Sequence, residues 1–281
     1  MNRRTVLKTL AAGAALPFLG SRALASDASP LAPRRMHAFT LGVATVTLKS
    51  LPLENMIAAV KRVGCDTISL HRAHSPWENQ PGQWKDIAAK IRAAGINIHC
   101  CGVLYLKNDE PAMRRMMEYV KANGLTLFSC SPEPAALPLL EKLVKEYELR
   151  AAIHNHGPED KSWPSVQGVM DAIASLDKRI GLCLDVGHCA RSGEDPVEMI
   201  RRHAARLYDV HLKDTVAPTG AREDQPVEMG RGRLDLRAIV ANLKEIGYRH
   251  GAWLEYEKDP NDPATGLAES AGYIRGLQAA L

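Results

Sequence analysis

The sequence predicts an α/β protein, a single-domain (β/α)8 TIM barrel behind a short cleavable leader. Three observations predict it. Apolar runs suited to buried strands alternate with segments of helical spacing along the whole chain after the leader. Glycine recurs between a helical stripe and the strand that follows it. Several strand-like runs end in a short polar motif rich in His, Asp and Glu, as expected at the C-terminal mouth of a parallel barrel.

The leader comes first. Arg3-Arg4 opens it, an apolar run extends from Val6 to Leu19, and Ala23-Leu24-Ala25 is a small-x-small cleavage site. Residues 1–25 read as a twin-arginine-type signal peptide, with Asn2 before the arginines and Val6 where Phe is common. The run is shorter than the ~20 residues of a membrane span and is broken by Pro17, so cleavage and periplasmic export are expected rather than a stable membrane anchor. Cleavage removes Arg3, Arg4, Lys8 and Arg22 and no acid, which takes the formal charge from +4 to zero. A neutral mature chain disfavours nucleic acid as a partner. What remains, about 250 residues, is the usual size of one (β/α)8 barrel. Residues 26–37, rich in Ser, Pro and Ala, are a flexible lead-in, and 38–281 are the barrel.

Expected strands lie near 39–47, 66–70, 96–104, 125–129, 150–155, 180–185, 207–212 and 251–256. After the first comes the stripe Met56, Ile57, Val60, Val63. Met113, Met116, Met117 and Val120 follow the third strand, and Leu137, Leu140, Val144 and Tyr147 the fourth. Val166, Val169, Met170 and Ile173 follow the fifth, and Leu236, Ile239, Val240 and Leu243 precede the last. Gly64, Gly95, Gly124 and Gly247 mark helix-to-strand joints. Short αβ units with buried strands mean parallel pairing. An open doubly wound sheet is the alternative, but no Gly-rich phosphate loop follows the first strand. Residues 215–233, rich in Gly, Pro and charge, form a connection long enough to be functional, often a lid. The six cysteines show no CxxC spacing; most lie in apolar strand runs and read as small buried hydrophobes, and the sequence leaves open whether any pair.

The strand ends carry the chemistry. They are Ile153-His154-Asn155-His156, Leu184-Asp185-Val186-Gly187-His188, Val210-His211-Leu212-Lys213-Asp214 and Leu254-Glu255-Tyr256-Glu257. His154, Asp185, His211 and Glu255 would bring two neutral and two anionic ligands to one rim. Such a set suits one divalent ion, Mn2+, Co2+, Mg2+ or Zn2+, with positions left open for two substrate oxygens. A lone strand histidine is more often structural, and Asp185 alone could merely cap a helix; four at equivalent positions argue for a metal. Glu255 is the candidate base, and His188 or His156 the candidate to return a proton. Lys213, Arg222 in the long loop, His71 and Trp163 are candidate substrate-binding residues.

With these motifs, and with Gly230-Arg231-Gly232-Arg233-Leu234-Asp235, the chain resembles the xylose isomerase-like TIM-barrel superfamily of sugar isomerases and epimerases, inosose dehydratase-like proteins and endonuclease IV. The resemblance covers essentially the whole mature chain. It implies that Asp185, His211 and Glu255 are metal ligands and that His188 lies beside metal and substrate. The departure is on the fifth strand, where sugar epimerases of the group have Glu in a Glu-Asn-His pattern and this chain has His154-Asn155-His156. His154 can ligate but is no carboxylate base, which weakens two-base epimerisation; inosose dehydratase-like members also carry histidines there.

The expected function is a metal-dependent isomerase or epimerase of a sugar or keto-sugar, acting by proton abstraction beside a metal-bound carbonyl through an enediolate. The alternative is a keto-sugar or keto-glycoside lyase, with a periplasmic sugar-binding protein more remote. A nuclease of this fold would need three metals and a basic face. A homo-oligomer is left open by the sequence.

Overall fold

The computed structural model describes residues 39–281. The expected leader and lead-in lie outside the described residues. Among these, eleven strands follow in chain order: β1 (Thr40–Ala44), β2 (Thr67–Leu70), β3 (Asn97–Cys101), β4 (Leu104–Leu106), β5 (Leu127–Pro132), β6 (Arg150–His154), β7 (Ile180–Asp185), β8 (Leu207–Leu212), β9 (Asp214–Thr215), β10 (Pro226–Val227) and β11 (Gly251–Leu254). The helices are α1 (Leu53–Arg62), α2 (Pro81–Ala93), α3 (Glu110–Ala122), α4 (Leu137–Glu146), α5 (Val166–Ala172), α6 (Val186–Arg191), α7 (Pro196–Arg202), α8 (Leu236–Glu245) and α9 (Pro263–Ala280).

Nine strands form one sheet in the order β3-β2-β1-β11-β8-β7-β6-β5-β4, every pair parallel. First and last strands pair directly, Thr40 opposite Gly251, so the sheet curls into the expected barrel. The expected third strand, 96–104, is two pieces. β3 pairs with β2 and β4 pairs with β5, so one stave changes neighbours part way. Gly102 sits at the change with φ +150, and a Cβ there would lie 2.4 Å from the Ser129 carbonyl oxygen of β5. Only glycine permits that backbone and that approach.

The four joint glycines take positive φ, from +66 at Gly247 to +81 at Gly95, as helix-terminating residues do. At the equivalent joint between α4 and β6 the chain uses Glu148 at φ 54 instead. Helix starts are capped by side chains: Asp109 accepts from Ala112, Ser165 from Gly168 and Asp235 from Ala238. The predicted stripes are the buried faces, with Met56, Ile57 and Val60 of α1 and Leu236, Ile239, Val240 and Leu243 of α8 turned to the strands.

The main core lies between strands and helices. A smaller one fills the barrel, where Ala44, Cys100, Leu127, Ala152 and Cys183 surround Trp253. Small residues there make room for one large ring, whose Nε1 donates to Asp209 Oδ1 at 2.5 Å. All six cysteines are buried and unpaired, as expected of small apolar residues. Among the described residues no helix is long and apolar enough to cross a membrane.

Candidate metal centre and active site

Parallel register delivers the polar strand ends to one mouth. His154 stands opposite Cys183 across β6 and β7, Asp185 opposite His211 across β7 and β8, and Trp253 opposite His211 across β11 and β8. Glu255 follows β11 and its N–H donates to the Leu212 carbonyl, which continues the ladder by one residue. Asn155 holds the rim rather than entering it. Its amide accepts from Asp185 N at 2.9 Å and donates to Asp185 O at 3.1 Å, locking the ends of β6 and β7 together.

One donor atom from each of His154, Asp185, His211 and Glu255 lies within 4.8 Å of the others, and all four residues are buried. His154 Nε2 is 3.7 Å from Asp185 Oδ2, and His211 Nδ1 is 2.5 Å from Glu255 Oε2. Asp185 does two jobs. Its Oδ1 caps α6 by accepting from His188 N at 2.8 Å, while Oδ2 is buried with no hydrogen-bond partner. Both ring nitrogens of His154 and Nε2 of His211 are likewise buried and unpartnered. Such orphaned atoms are expensive in a protein interior unless a cation satisfies them. The residues fit a divalent ion on that ground, and mixed imidazole and carboxylate donors suit Zn2+, Co2+ or Mn2+.

Charge is arranged around this set. Lys213 is 2% exposed, with Nζ 2.7 Å from Glu255 Oε1, 3.1 Å from Glu257 Oε2 and 3.6 Å from Asp224 Oδ2. Burial opposes its charge, but Glu255, Asp185 and Glu257 outweigh burial and hold it firmly protonated. Burial likewise pushes the Glu255 carboxyl up, yet Lys213 and His211 win and keep it ionised well below the usual carboxylate range. Asp185 goes the other way, pushed up by burial.

His188 has a defined tautomer. Arg191 Nη2 lies 2.8 Å from His188 Nδ1, and a guanidinium can only donate. Nδ1 therefore accepts, and the proton of the neutral ring sits on Nε2. Burial, then Lys213, holds this ring well below the ordinary imidazole value, so it stays neutral. Lys213 Nζ is 3.4 Å from that Nε2. Two N–H donors thus face the same space side by side, an arrangement suited to a substrate oxygen that gains negative charge. Arg191, fully buried, is itself held by Glu159 at 2.7 Å and by the carbonyl of Ala221 at 2.9 Å.

The space is a cavity of about 370 Å³ at the mouth, lined by His71, His154, His156, His188, His211, Lys213, Glu255 and Glu257 among others. Most of the expected site residues converge there. His71 enters from β2, its N–H held by Thr45 Oγ1 and its Nδ1 accepting from Ala73 N, which leaves Nε2 for the cavity. Two expected substrate contacts do not converge. Trp163 is 2% exposed, packs in the core and donates Nε1 to the Pro132 carbonyl, so its ring faces no cavity. The aromatic at the mouth is Tyr105, 63% exposed and stacked near His156. Arg222 is exposed and outside the cavity lining, and the long loop sends in Asp224 instead.

That loop is anchored. β9 and β10 pair as a short antiparallel ribbon. Asp214 Oδ2 accepts from Gly230 N and Gly232 N, and a Cβ on Gly232 would lie 2.0 Å from Asp214 Oδ1. The Gly230–Arg231–Gly232 turn exists to wrap this carboxylate. Glu159 and Asp224 carried no separate signal in the sequence, because charged loops hold many such residues, and Arg191 is one basic residue at the end of the short helix α6.

The buried imidazoles set a pH dependence. His154 and His188 are held low by burial, as is His156. The unfolded chain takes up these protons near pH 6.5 and the folded chain does not, so stability falls as pH drops through that value. Each fully buried ring removes up to about 1.4 kcal/mol per pH unit there. Asp185, Asp209 and His211, all raised, act in the opposite sense, while His71 and His74, both held low by burial, add to the imidazole side. Chelator-treated protein is expected to melt at a lower temperature at pH 5 than at pH 7.5; an unchanged or higher melting temperature would show that these rings are not buried as neutral groups.

Comparisons with known proteins agree with this fold. A family model described as xylose isomerase-like TIM barrel matches residues 53–277. The rhizopine catabolism protein MocC of Rhizobium meliloti is 34% identical over 136 residues, 43% of this chain and 41% of that protein. An inosose dehydratase of Clostridium botulinum is 28% identical over 137 residues, 43% of this chain and 45% of that protein. The aligned stretch thus spans less than half the length of these curated relatives. Among solved structures, the IOLI protein with a bound zinc atom superposes with a TM-score of 0.67 at 18% identity, over 86% of this chain and 97% of that one.

Proposed function

The chain belongs to the xylose isomerase-like TIM-barrel family, and from that premise we propose that it is a divalent-metal-dependent enzyme that removes a proton beside the carbonyl of a sugar or keto-sugar. The observation that carries this reading is the buried set of unpartnered donor atoms on His154, Asp185 and His211, with Glu255 beside them. Those four residues would hold the ion. When bound, it would supply Lewis acidity, polarising the carbonyl so that the neighbouring C–H becomes acidic.

The chain's own residues account for the rest. Glu255, kept ionised by Lys213 and His211, is ready to take a proton at neutral pH. A carboxylate so strongly paired is a weak base, which is why carbonyl polarisation is needed. Lys213 Nζ and the His188 Nε2–H converge on the oxygen that gains charge. Arg191 fixes the His188 tautomer that makes this donation available. Tyr105 offers a ring face at the entrance, and Asp224 closes one side.

Two outcomes share this first half. Isomerisation or epimerisation returns the proton to carbon; elimination breaks the bond to an oxygen on the next carbon, which leaves as water or an alcohol with the proton that Glu255 has taken. Elimination is the reading we favour. Its support is specific: across the metal set from Glu255 stands His154, a buried neutral imidazole, where a two-base epimerase would need a second carboxylate. The match to inosose dehydratases supports it too. The leader supports a periplasmic setting, and so an unphosphorylated keto-sugar or keto-glycoside. Incubation of the Mn2+-loaded protein with cyclic keto-sugars in D2O tests this. Loss of the α-proton signal together with growth of an enone absorption is expected. Exchange without enone would move the reading to isomerisation, and neither change with any keto-sugar would overturn proton abstraction.

A further inference from the structure

The metal set has a layer beneath it. Strand side chains alternate, so Cys183 lies on the same inward face as Asp185 and one step deeper, and Asp209 lies below His211 in the same way. Donor atoms of His154, Cys183 and His211 also fall within 4.8 Å of one another, and all three are buried. The two histidines thus belong to two overlapping sets. His211 shows this most plainly: Nδ1 is taken by Glu255, so its free nitrogen, Nε2, serves either set, and it lies 3.8 Å from Asp209 Oδ2. Cys183 Sγ lies 3.5 Å from the same Asp209 oxygen.

We propose that the barrel contains a second, deeper seat for a thiophilic divalent ion such as Cd2+ or Zn2+, formed by His154, Cys183 and His211 with Asp209 beside them, and that it competes with the carboxylate-bearing set above. The donor chemistry separates the two. The upper set offers two imidazoles and two carboxylates, which accept Mn2+ or Mg2+ as well as softer ions. The lower offers two imidazoles and a thiolate, a combination that holds Zn2+ and Cd2+ and is poor for Mn2+ and Mg2+. Binding releases the Cys183 proton to solvent as the metal–sulfur bond forms, with no change of oxidation state. Thiolate and Asp209 carboxylate then balance the charge of the ion, and Asp209 is positioned for this by Trp253, which donates to its other oxygen. Both histidines are shared, so an ion in the deep seat removes two of the four upper ligands. Soft ions therefore displace the activating ion and silence the site. This rests on the reading of His154 and His211 as metal ligands.

Cadmium is the probe. Metal-free full-length protein is titrated with Cd2+ while the ultraviolet thiolate-to-metal charge-transfer band is recorded, and Mn2+ binding is followed separately by paramagnetic resonance. Wild type is expected to develop the band with saturation at one Cd2+ per chain. Cys183→Ser loses the band yet still binds Mn2+, which also reports that the variant is folded; Cys183→Ala serves the same purpose should serine not be accommodated. Cys100→Ser, whose thiol lies 3.6 Å from the same Asp209 oxygen but belongs to neither donor set, keeps the band. Asp185→Asn keeps the band and weakens Mn2+ by at least about tenfold. A band that survives in Cys183→Ser, or Cd2+ binding to wild type without a band, overturns the deep seat. A Cd2+ band without Mn2+ binding in any protein would leave the deep seat standing and remove the upper one instead.

Discussion

Glu255→Gln is expected to abolish proton abstraction, lowering turnover of the keto-sugar substrate by about 10³-fold or more. The amide is nearly isosteric but cannot accept the proton. It also removes the charge that Lys213 and His211 both contact, at 2.7 and 2.5 Å. Solvent deuterium entry into substrate, followed by NMR, is the measurement, because it reports the first chemical step whatever product follows. Retained exchange in the variant would place the base elsewhere, with His156 the remaining group at the cavity from β6. Metal affinity of the variant should be measured alongside, since Glu255 has both roles in this account.

The second large effect concerns Lys213. Lys213→Met is expected to destabilise the metal-free protein by about 3–5 kcal/mol, the range for removing one partner of a buried ion pair. The loss arises less from the missing lysine than from what it leaves behind: Glu255, 7% exposed, beside Asp185, with no ammonium between them. A divalent ion brings positive charge to the same carboxylates, so adding Mn2+ should recover part of the loss. Urea denaturation with and without Mn2+ would measure both quantities. Equal stability of variant and wild type in chelator would mean that Lys213 contributes nothing net to the buried charge cluster.

Much of the fold was legible because it rests on repetition. Gly64, Gly95, Gly124 and Gly247 each adopt the left-handed conformation that marks a helix end, and each was visible as a glycine after an apolar stripe. What repetition hides is the exception. The run 96–104 has the composition of one strand, and nothing local to it says that Gly102 must press against Ser129 of a neighbouring strand. Glu148 at φ 54 is hidden for the same reason: tertiary packing overrides a local preference.

The site divides along the same line. His154, Asp185, His211 and Glu255 could be placed because strand ends are equivalent by symmetry of the barrel, and parallel register turns equivalence into proximity. Trp163 and Arg222 could not, since a loop residue's direction depends on contacts made far away in sequence. Trp163 follows the Pro132 carbonyl into the core, and the loop that carries Arg222 is fixed by Asp214 and Arg191 so that Asp224 faces inward. The tautomer of His188 is likewise set by contacts distant in sequence. It is decided by Arg191, three residues on, whose guanidinium turns back because Glu159 and the loop carbonyls hold it.

Whether these four strand ends hold a metal is decided by binding of Mn2+ to purified, chelator-stripped protein, compared with His154→Ala. One Mn2+ per chain in the wild type, and affinity lower by at least about tenfold in the variant, is the expected result. Failure of the wild type to bind Mn2+, Co2+ or Zn2+ would contradict the metal-dependent enzyme and favour a barrel that only binds its sugar.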